Sequence, residues 1–370
     1  MTTAIDVQVR GSGIVGKALA LALGRIGVTV ALQAEPRRAD APEDVRAYAL
    51  NAASVRLLAS LKVWDALAPG DATPVYDMRV RGDDGASALE FSAWQQRVGE
   101  LAWIVDAAAV ERELDSALRF APHVSVGTAL QPAALTAICE GRASAGRAEL
   151  GVAFDEHPYG QRAIAARLTA SAPHAGTALQ WFRSPDVLAL LPIDKPRGGA
   201  SYALVWSLPD ARARALLDAD DAGFVAELMA ATGGAAGELA LASRRAAWPL
   251  SVGQARSWCG PGWVLLGDAA HVIHPLAGQG LNLGLADVAA LVDVIAAREP
   301  WRRLGDERLL RRYVRQRAAP TWAMQRTTDA LWRLFSHDAD AFKGLRNQGI
   351  GAVNRITPLK RWLTAQALNS

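Results

Sequence analysis

The chain has 370 residues, of which 51% are hydrophobic and 21% charged, a balance that excludes intrinsic disorder and supplies enough apolar material for two lobes. A net charge of +3, with basic residues mixed among acids along the chain, excludes a dedicated nucleic-acid surface. Cys139 and Cys259 stand far apart, which excludes a disulfide framework and a zinc-ligand spacing, and no apolar run reaches the ~18 to 20 residues that span a bilayer.

The N-terminus enters a strand pattern within a few residues, so no secretory signal is expected and a soluble, cytoplasmic protein is. Ile5, Val7 and Val9 alternate as a strand, and Gly11, Gly13 and Gly16 follow as G-x-G-x-x-G. Alanines and leucines at helical spacing come next, then Gly27 and a second strand, "VTVAL". This β-α-β context makes the glycines a dinucleotide fingerprint. Gly11 permits the tight turn, Gly13 lets a pyrophosphate approach the backbone, and Gly16 lets the helix pack on the sheet. The acid that would hold a ribose is expected at Ala34 and stands one residue later, at Glu35, where a small bulge would restore its reach; a solvated loop residue is the alternative. To this point a nicotinamide dehydrogenase explains the pattern equally well.

Further along, "MRVRGDDGASALEF" reads as a hairpin turning at Asp84-Gly85. "ALLPID", "SYALVWSLP" and the Trp248-Pro249-Leu250 segment are strand-like. His157 and His174 read as turn or packing residues. The segment "WVLLGDAAHVIHPLAGQGLNLG" places Asp268 just past a strand end, where α/β sheets bind ligands and a carboxylate can accept hydrogen bonds from a polyol. Small residues and a helix N-terminus follow, whose amides would stabilise an anionic ligand edge such as that of a reduced flavin. One flavin dinucleotide then connects both regions: pyrophosphate at Gly11–Gly16, ribityl at Asp268, ring at Gly278, Gln279, Gly280, Leu281 and Asn282. A nicotinamide dehydrogenase leaves this second segment unexplained.

"GDAAHVIHPLAGQGLNLGLADVAAL" resembles the second flavin motif of the single-component aromatic hydroxylases, the p-hydroxybenzoate hydroxylase superfamily, and more narrowly its ubiquinone-biosynthesis branch. "DVRAYALNAASVRLLASLKVWDAL" is similar to the family's D-x-R-x-x-A-L-S segment, which implies that Arg46 lies near the flavin. "YGQRAIAA", "PHAGTALQWF", "LALLPI", "LVWSLP" and the tail "LFSHDADAFKGLRNQGIGAVNRITPLKRWL" follow in family order. The family's middle motif, D-G-x-x-S-x-x-R, reads here as Glu140, Gly141, Ser144 and Arg147, with glutamate for the usual aspartate. Ala107 stands where some relatives carry a longer polar residue. With Ala34/Glu35 these are three departures at cofactor-contact positions.

The resemblance implies an α/β fold: a GxGxxG-type FAD-binding domain with a mostly parallel sheet (1–74, 100–172, 251–330), a smaller antiparallel-sheet substrate domain (75–99, 173–250) and C-terminal helices (331–370). It also implies the reaction. NAD(P)H reduces FAD, O2 adds at flavin C4a, and the hydroperoxide transfers one oxygen to an electron-rich aromatic ring such as a polyprenyl phenol. Asp268 and Arg46 would hold the cofactor, and Pro275 would wall the flavin near its reactive edge. No catalytic base is assigned. His271 and His274 are weak candidates for which loop-shaping hydrogen bonds are favoured over proton transfer. No metal is implied. Hydroxylation of another small aromatic, or a non-catalytic accessory role resting on the three departures, are the alternatives. The C-terminal mixture of Arg355, Lys360 and Arg361 with Ile356, Leu359, Trp362 and Leu363 suits either a closing helix, the favoured reading, or contact with a membrane surface. A homo-oligomer and a pathway complex stay open.

Overall fold

The computed structural model describes residues 4–34, 44–82, 88–273 and 279–336, and the structural statements below refer to those residues. Strand Ile5–Arg10, with Val7 and Val9 fully buried, lies parallel between Val30–Gln33 and Ala133–Ile138. Val124–Gly127 continues the sheet in parallel on one side and Trp263–Leu265 on the other, with Cys259–Gly260 antiparallel at the edge. The chain therefore leaves Ile5–Arg10 toward one side and returns on the other. That switch point opens a crevice at the carboxyl ends of the central strands, which is where such sheets bind ligands.

Helix Ile14–Arg25 is apolar nearly all round because it is enclosed, between this sheet and helix Gly280–Ala296. Helix Glu307–Ser336 closes the layer from outside, with Leu309 and Leu310 buried and the Tyr313 hydroxyl donating to the Leu265 carbonyl at 3.0 Å. Of the C-terminal helices expected over 331–370, only 331–336 fall among the described residues, as the end of this helix.

A nine-stranded sheet forms the second layer system. Phe154–Ala170 is paired antiparallel with Ser201–Pro209, with Ala246–Ala255 and with the short Leu239–Leu241. Asp186–Ile193 and Thr177–Arg183 continue it, then Asp77–Arg81, which joins in parallel, and Ala88–Ser92. The last two strands are the expected hairpin, in register from Asp77 opposite Ser92 to Arg81 opposite Ala88. Its turn, 83–87, is outside the described residues.

Alternation along the central strands divides this sheet's faces. Leu204, Trp206 and Leu208 pack with Leu216, Phe224 and Leu228 of helices Asp210–Asp218 and Asp221–Thr232. The intervening residues face the crevice. Ala47–Leu50, Ala102–Asp106 and Ala72–Val75 form a small antiparallel sheet at one wall. Strand His271–Val272 joins the loop bearing Asp268 to the edge of the large sheet, so the two sheets meet at that loop.

Candidate active site

The glycine turn is as tight as its spacing implies. Gly11 has φ of +102°, and a Cβ there would lie 2.5 Å from the Cys139 carbonyl oxygen; a Cβ on Gly16 would lie 1.9 Å from the Gly11 carbonyl oxygen. Both positions are closed to any side chain. Gly13 differs, since a Cβ there would meet nothing within 4 Å. It caps helix Ile14–Arg25 with no side-chain hydrogen bond, and the first turn carries no acid. The leading amides of a buried helix thus point, unsatisfied by side chains, into open space, which is an anion site.

Across the crevice, the strand Ala47–Leu50 brings Arg46, Tyr48 and Ala49 to the same space. Arg46 Nε and Nη2 donate to Asp44, the shortest contact being 2.6 Å. Burial disfavours the Asp44 carboxylate, but the hydrogen bonds from Arg46 outweigh it and leave its pKa below the ordinary value. Burial pushes the Tyr48 hydroxyl up to about 12. Ala107 is fully buried and donates its N–H to the Arg46 carbonyl at 3.2 Å. Glu111, one turn along the same helix, reaches the crevice instead.

The middle motif organises protein more than it offers free groups. Glu140 accepts from Arg10 Nε at 2.8 Å, from the Ser144 hydroxyl at 2.8 Å and from the Gly146 N–H at 2.7 Å. Its extra methylene is thereby matched to Arg10, the residue just before Gly11, and both carboxylate oxygens are engaged. Arg147 donates to the carbonyls of Ala269 at 2.9 Å and Arg142 at 2.8 Å, which ties this turn to the Asp268 loop.

Asp268 projects into the crevice, accessible to solvent yet walled by protein. That enclosure raises its pKa above the ordinary carboxylate value, with His271, Arg142 and Arg46 opposing the shift. His271 points the other way. Its ring is 2% exposed, its Nε2 lies 2.7 Å from Asp287 Oδ2, and Trp258 packs 4.9 Å from it. It does not line the cavity. Asn282 is also turned inward: it donates to the Ala49 carbonyl at 2.8 Å and the Gln279 side chain at 2.9 Å, and accepts from the Ser54 hydroxyl at 2.7 Å. It fixes helix Gly280–Ala296 to the Arg46 strand rather than presenting its amide to a ligand. Gln279, Gly280 and Leu281, at that helix's start, do line the cavity. Glu35, His274, Pro275 and Gly278 lie outside the described residues.

These groups surround one continuous cavity of about 1110 Å³, lined by Gly11, Gly13, Arg46, Glu140, Gly141, Asp268 and Gln279 at one end. The other end is the open face of the large sheet, with Val75, Phe91, Leu101 and Leu191 as walls. That volume exceeds the ~300 to 1,000 Å³ of an ordinary single-ligand pocket. A polar end with an uncapped helix, closed glycine positions and a projecting carboxylate fits a flavin dinucleotide; the apolar end leaves room for a second molecule. Sequence reading missed Asp44, Tyr48, Glu111, Arg142, Gln180 and Ser207, all of which line the cavity. Only the sheet register shows that the alternate residues of Thr177–Arg183 and Ser201–Pro209 face it.

The comparisons agree with this geometry. Residues 127–328 match the FAD binding domain family. The chain is 32% identical to a ubiquinone hydroxylase, UbiL, of Rhodospirillum rubrum, over 99% of this chain and 90% of that one. It is 31% identical to the 3-demethoxyubiquinol 3-hydroxylase of Escherichia coli K12, over 98% of each chain. Among solved structures, the fold is shared with the p-nitrophenol 4-monooxygenase PnpA of Pseudomonas putida DLL-E4, at a TM-score of 0.79 and 19% identity, covering 100% of this chain and 99% of that one. It is also shared with Klebsiella pneumoniae HpxO complexed with FAD and uric acid, at a TM-score of 0.74 and 18% identity, covering 98% and 97%. The glycine turn, the Asp268 loop and the full-length similarity converge: the chain belongs to the FAD-dependent aromatic monooxygenases, in their ubiquinone-biosynthesis hydroxylase branch.

Proposed function

We propose that this protein hydroxylates the ring of a polyprenyl phenol in ubiquinone biosynthesis, using FAD, O2 and NAD(P)H as reductant. The observation that carries the reading is the single cavity running from the glycine turn and Asp268 to an apolar sheet face. FAD, when bound, supplies the redox chemistry that activates O2 for insertion into an aromatic ring.

The residues of this chain have separate tasks in that reading. The amides at Gly13 and the start of helix Ile14–Arg25 bind the pyrophosphate, and Asp268 holds the ribityl chain. Gln279, Gly280 and Leu281 place a helix N-terminus toward the flavin ring, where it stabilises negative charge. Arg46, hydrogen-bonded to Asp44, borders the cofactor. Glu140 and Asn282 shape the site through other residues. The apolar walls exclude water from the reacting ring. His271 is engaged by Asp287, so no proton step is given to it. The discontinuous division into a flavin domain and a substrate domain belongs to the same reading. So does a cytoplasmic location with the protein resting against the inner face of the membrane, from which an apolar substrate would enter. No helix among the described residues is long and apolar enough to cross a membrane.

The test is the visible spectrum of the purified protein, with FAD added if it is colourless, followed by mass analysis of a short-chain polyprenyl phenol incubated with NAD(P)H and O2. A flavin spectrum and a product heavier by one oxygen are expected. A folded protein that stays colourless in excess FAD overturns the reading.

A further inference from the structure

The open face of the large sheet is almost wholly apolar. Pairing places Ala165 opposite Val205, Val205 opposite Ala189, and Leu191 opposite Ala203. Alanine at 165, 178 and 189 keeps the floor low, so the sheet can accept a flat ring and an aliphatic chain close to its backbone. Two polar side chains interrupt this floor. Ser207 stands opposite Ala163 on one strand and Val187 on the other, and Gln180 stands opposite Ala189. Val187 and Ala189 are successive residues on the same face of one strand, so Ser207 and Gln180 flank that strand diagonally, one from each side. Ser207 is 3% exposed and lines the cavity; its backbone is paired in the sheet on both sides, while its hydroxyl makes no hydrogen bond to a described residue. Its strand neighbours Trp206 and Leu208 point to the opposite, helix-covered face.

The charged residues that line the cavity lie elsewhere. Asp44, Arg46, Glu111, Glu140, Arg142 and Asp268 lie toward its polar end, and Arg244 sits ahead of strand Ala246–Ala255, exposed at the edge. On this face Arg167, opposite Ala203, is turned to Asp106 at 2.8 Å and does not line the cavity, so no cation on the lining floor offsets a buried carboxylate, whereas a hydroxyl satisfies a neutral O–H. An apolar floor that carries one hydroxyl facing the cavity is a place where a ligand O–H supplies its partner.

We infer that Ser207, flanked by Gln180, recognises the hydroxyl of a neutral phenol and makes this site select uncharged alkylphenols over carboxylated rings. The inference rests on the aromatic-hydroxylase reading and adds its specificity residue. Ser207 orients the substrate: its oxygen accepts a hydrogen bond from the phenolic O–H and so sets which ring carbon is offered for oxidation.

Calorimetric binding to the purified, FAD-supplemented protein tests this without requiring turnover. Three probes are compared: 2-butylphenol, 3-butyl-4-hydroxybenzoate and 2-butylanisole. The phenol is expected to bind at least ten-fold more tightly than the carboxylate, and Ser207→Ala to weaken the phenol roughly 5- to 10-fold, the size of one neutral hydrogen bond. Ser207→Thr, which keeps the hydroxyl, should restore most of that loss. The anisole, which has no phenolic proton, should bind the wild type and Ser207→Ala alike; a merely structural effect would weaken both ligands. Equal or tighter binding of the carboxylate, absence of phenol binding, or an equal loss for the anisole overturns the inference. Any of these in a protein that holds FAD and hydroxylates a phenol leaves the functional reading standing, so the two failures are distinguishable.

Discussion

The His271 ring nitrogen Nε2 lies 2.7 Å from the Asp287 carboxylate, with Asp287 fully buried and His271 2% exposed. The other carboxylate oxygen accepts from Arg317 Nε at 2.7 Å, and the Gly267 N–H donates to the first at 2.9 Å. One carboxylate thus joins helix Gly280–Ala296, helix Glu307–Ser336 and the turn that presents Asp268. Burial alone would raise the pKa of Asp287, but His271 and Arg317 outweigh it, and the group stays ionised below the ordinary range.

Asp287→Asn should therefore be severely destabilising, because it leaves the Arg317 guanidinium buried without its counter-charge. A loss of about 3 to 5 kcal/mol is expected. Urea unfolding of both proteins at pH 7 measures it. The wild-type contribution should also fade in acid, since a carboxylate with a depressed folded pKa stabilises above its unfolded value and loses that effect as the pH falls through the folded one.

Gly284 occupies helix Gly280–Ala296 where a Cβ would lie 2.7 Å from Val15 Cγ2 and 3.5 Å from Gly267 Cα. The small residues around the Asp268 loop serve helix packing as well as ligand approach. Gly284→Ala should cost about 1 to 3 kcal/mol by overpacking. Val15→Ala should recover part of that cost, with a coupling of at least ~0.5 kcal/mol in a double-mutant cycle. Strict additivity would show that the helices do not meet there.

Asp268→Asn is expected to separate stability from cofactor binding. The protein surrounding Asp268 holds its pKa above the ordinary carboxylate value, so the ionised group opposes folding at neutral pH, and its removal should leave the melting temperature of the flavin-free protein unchanged or higher. FAD affinity, read by fluorescence titration, should fall about 10- to 100-fold, as for loss of a hydrogen bond to a charged group. An unaltered affinity would remove Asp268 from the cofactor site.

Asp186 lies at the end of a strand beside Trp206 and is paired with Arg212. Burial lifts its pKa to about 6 despite that pairing. The folded carboxyl then keeps its proton up to about pH 6, while the unfolded one releases it near ~3.9. The folded state binds more protons across that window, so stability falls as the pH rises through it. Asp186→Asn should abolish this slope, making the melting-temperature difference between pH 4.5 and pH 7 visibly smaller than in the wild type.

Much of the site was legible because local chemistry wrote it. Gly11 and Gly16 hold positions closed to any side chain, and the spacing of Gly11, Gly13 and Gly16 between two strands names the ligand class. Asp268 is legible for a related reason, as a carboxylate placed by a strand end. Glu140 and Asn282 were assigned to the cofactor from their positions in motifs, yet their side chains are engaged by Arg10, Ser144, Gly146 and by Ala49, Gln279, Ser54. Those partners come from segments far away in sequence, and no local pattern predicts which hydrogen bonds win. His271 was read as favouring a shaping role, and its contact with Asp287 is of that kind.

The sequence by itself determined the dinucleotide turn, the strand and helix periods and the family, because each depends on residues close together along the chain. Tertiary structure alone decided which face of the large sheet meets the cavity and that Ser207 and Gln180 share it. Strand pairing sets that arrangement: a shift of one residue in register would send both side chains to the opposite face.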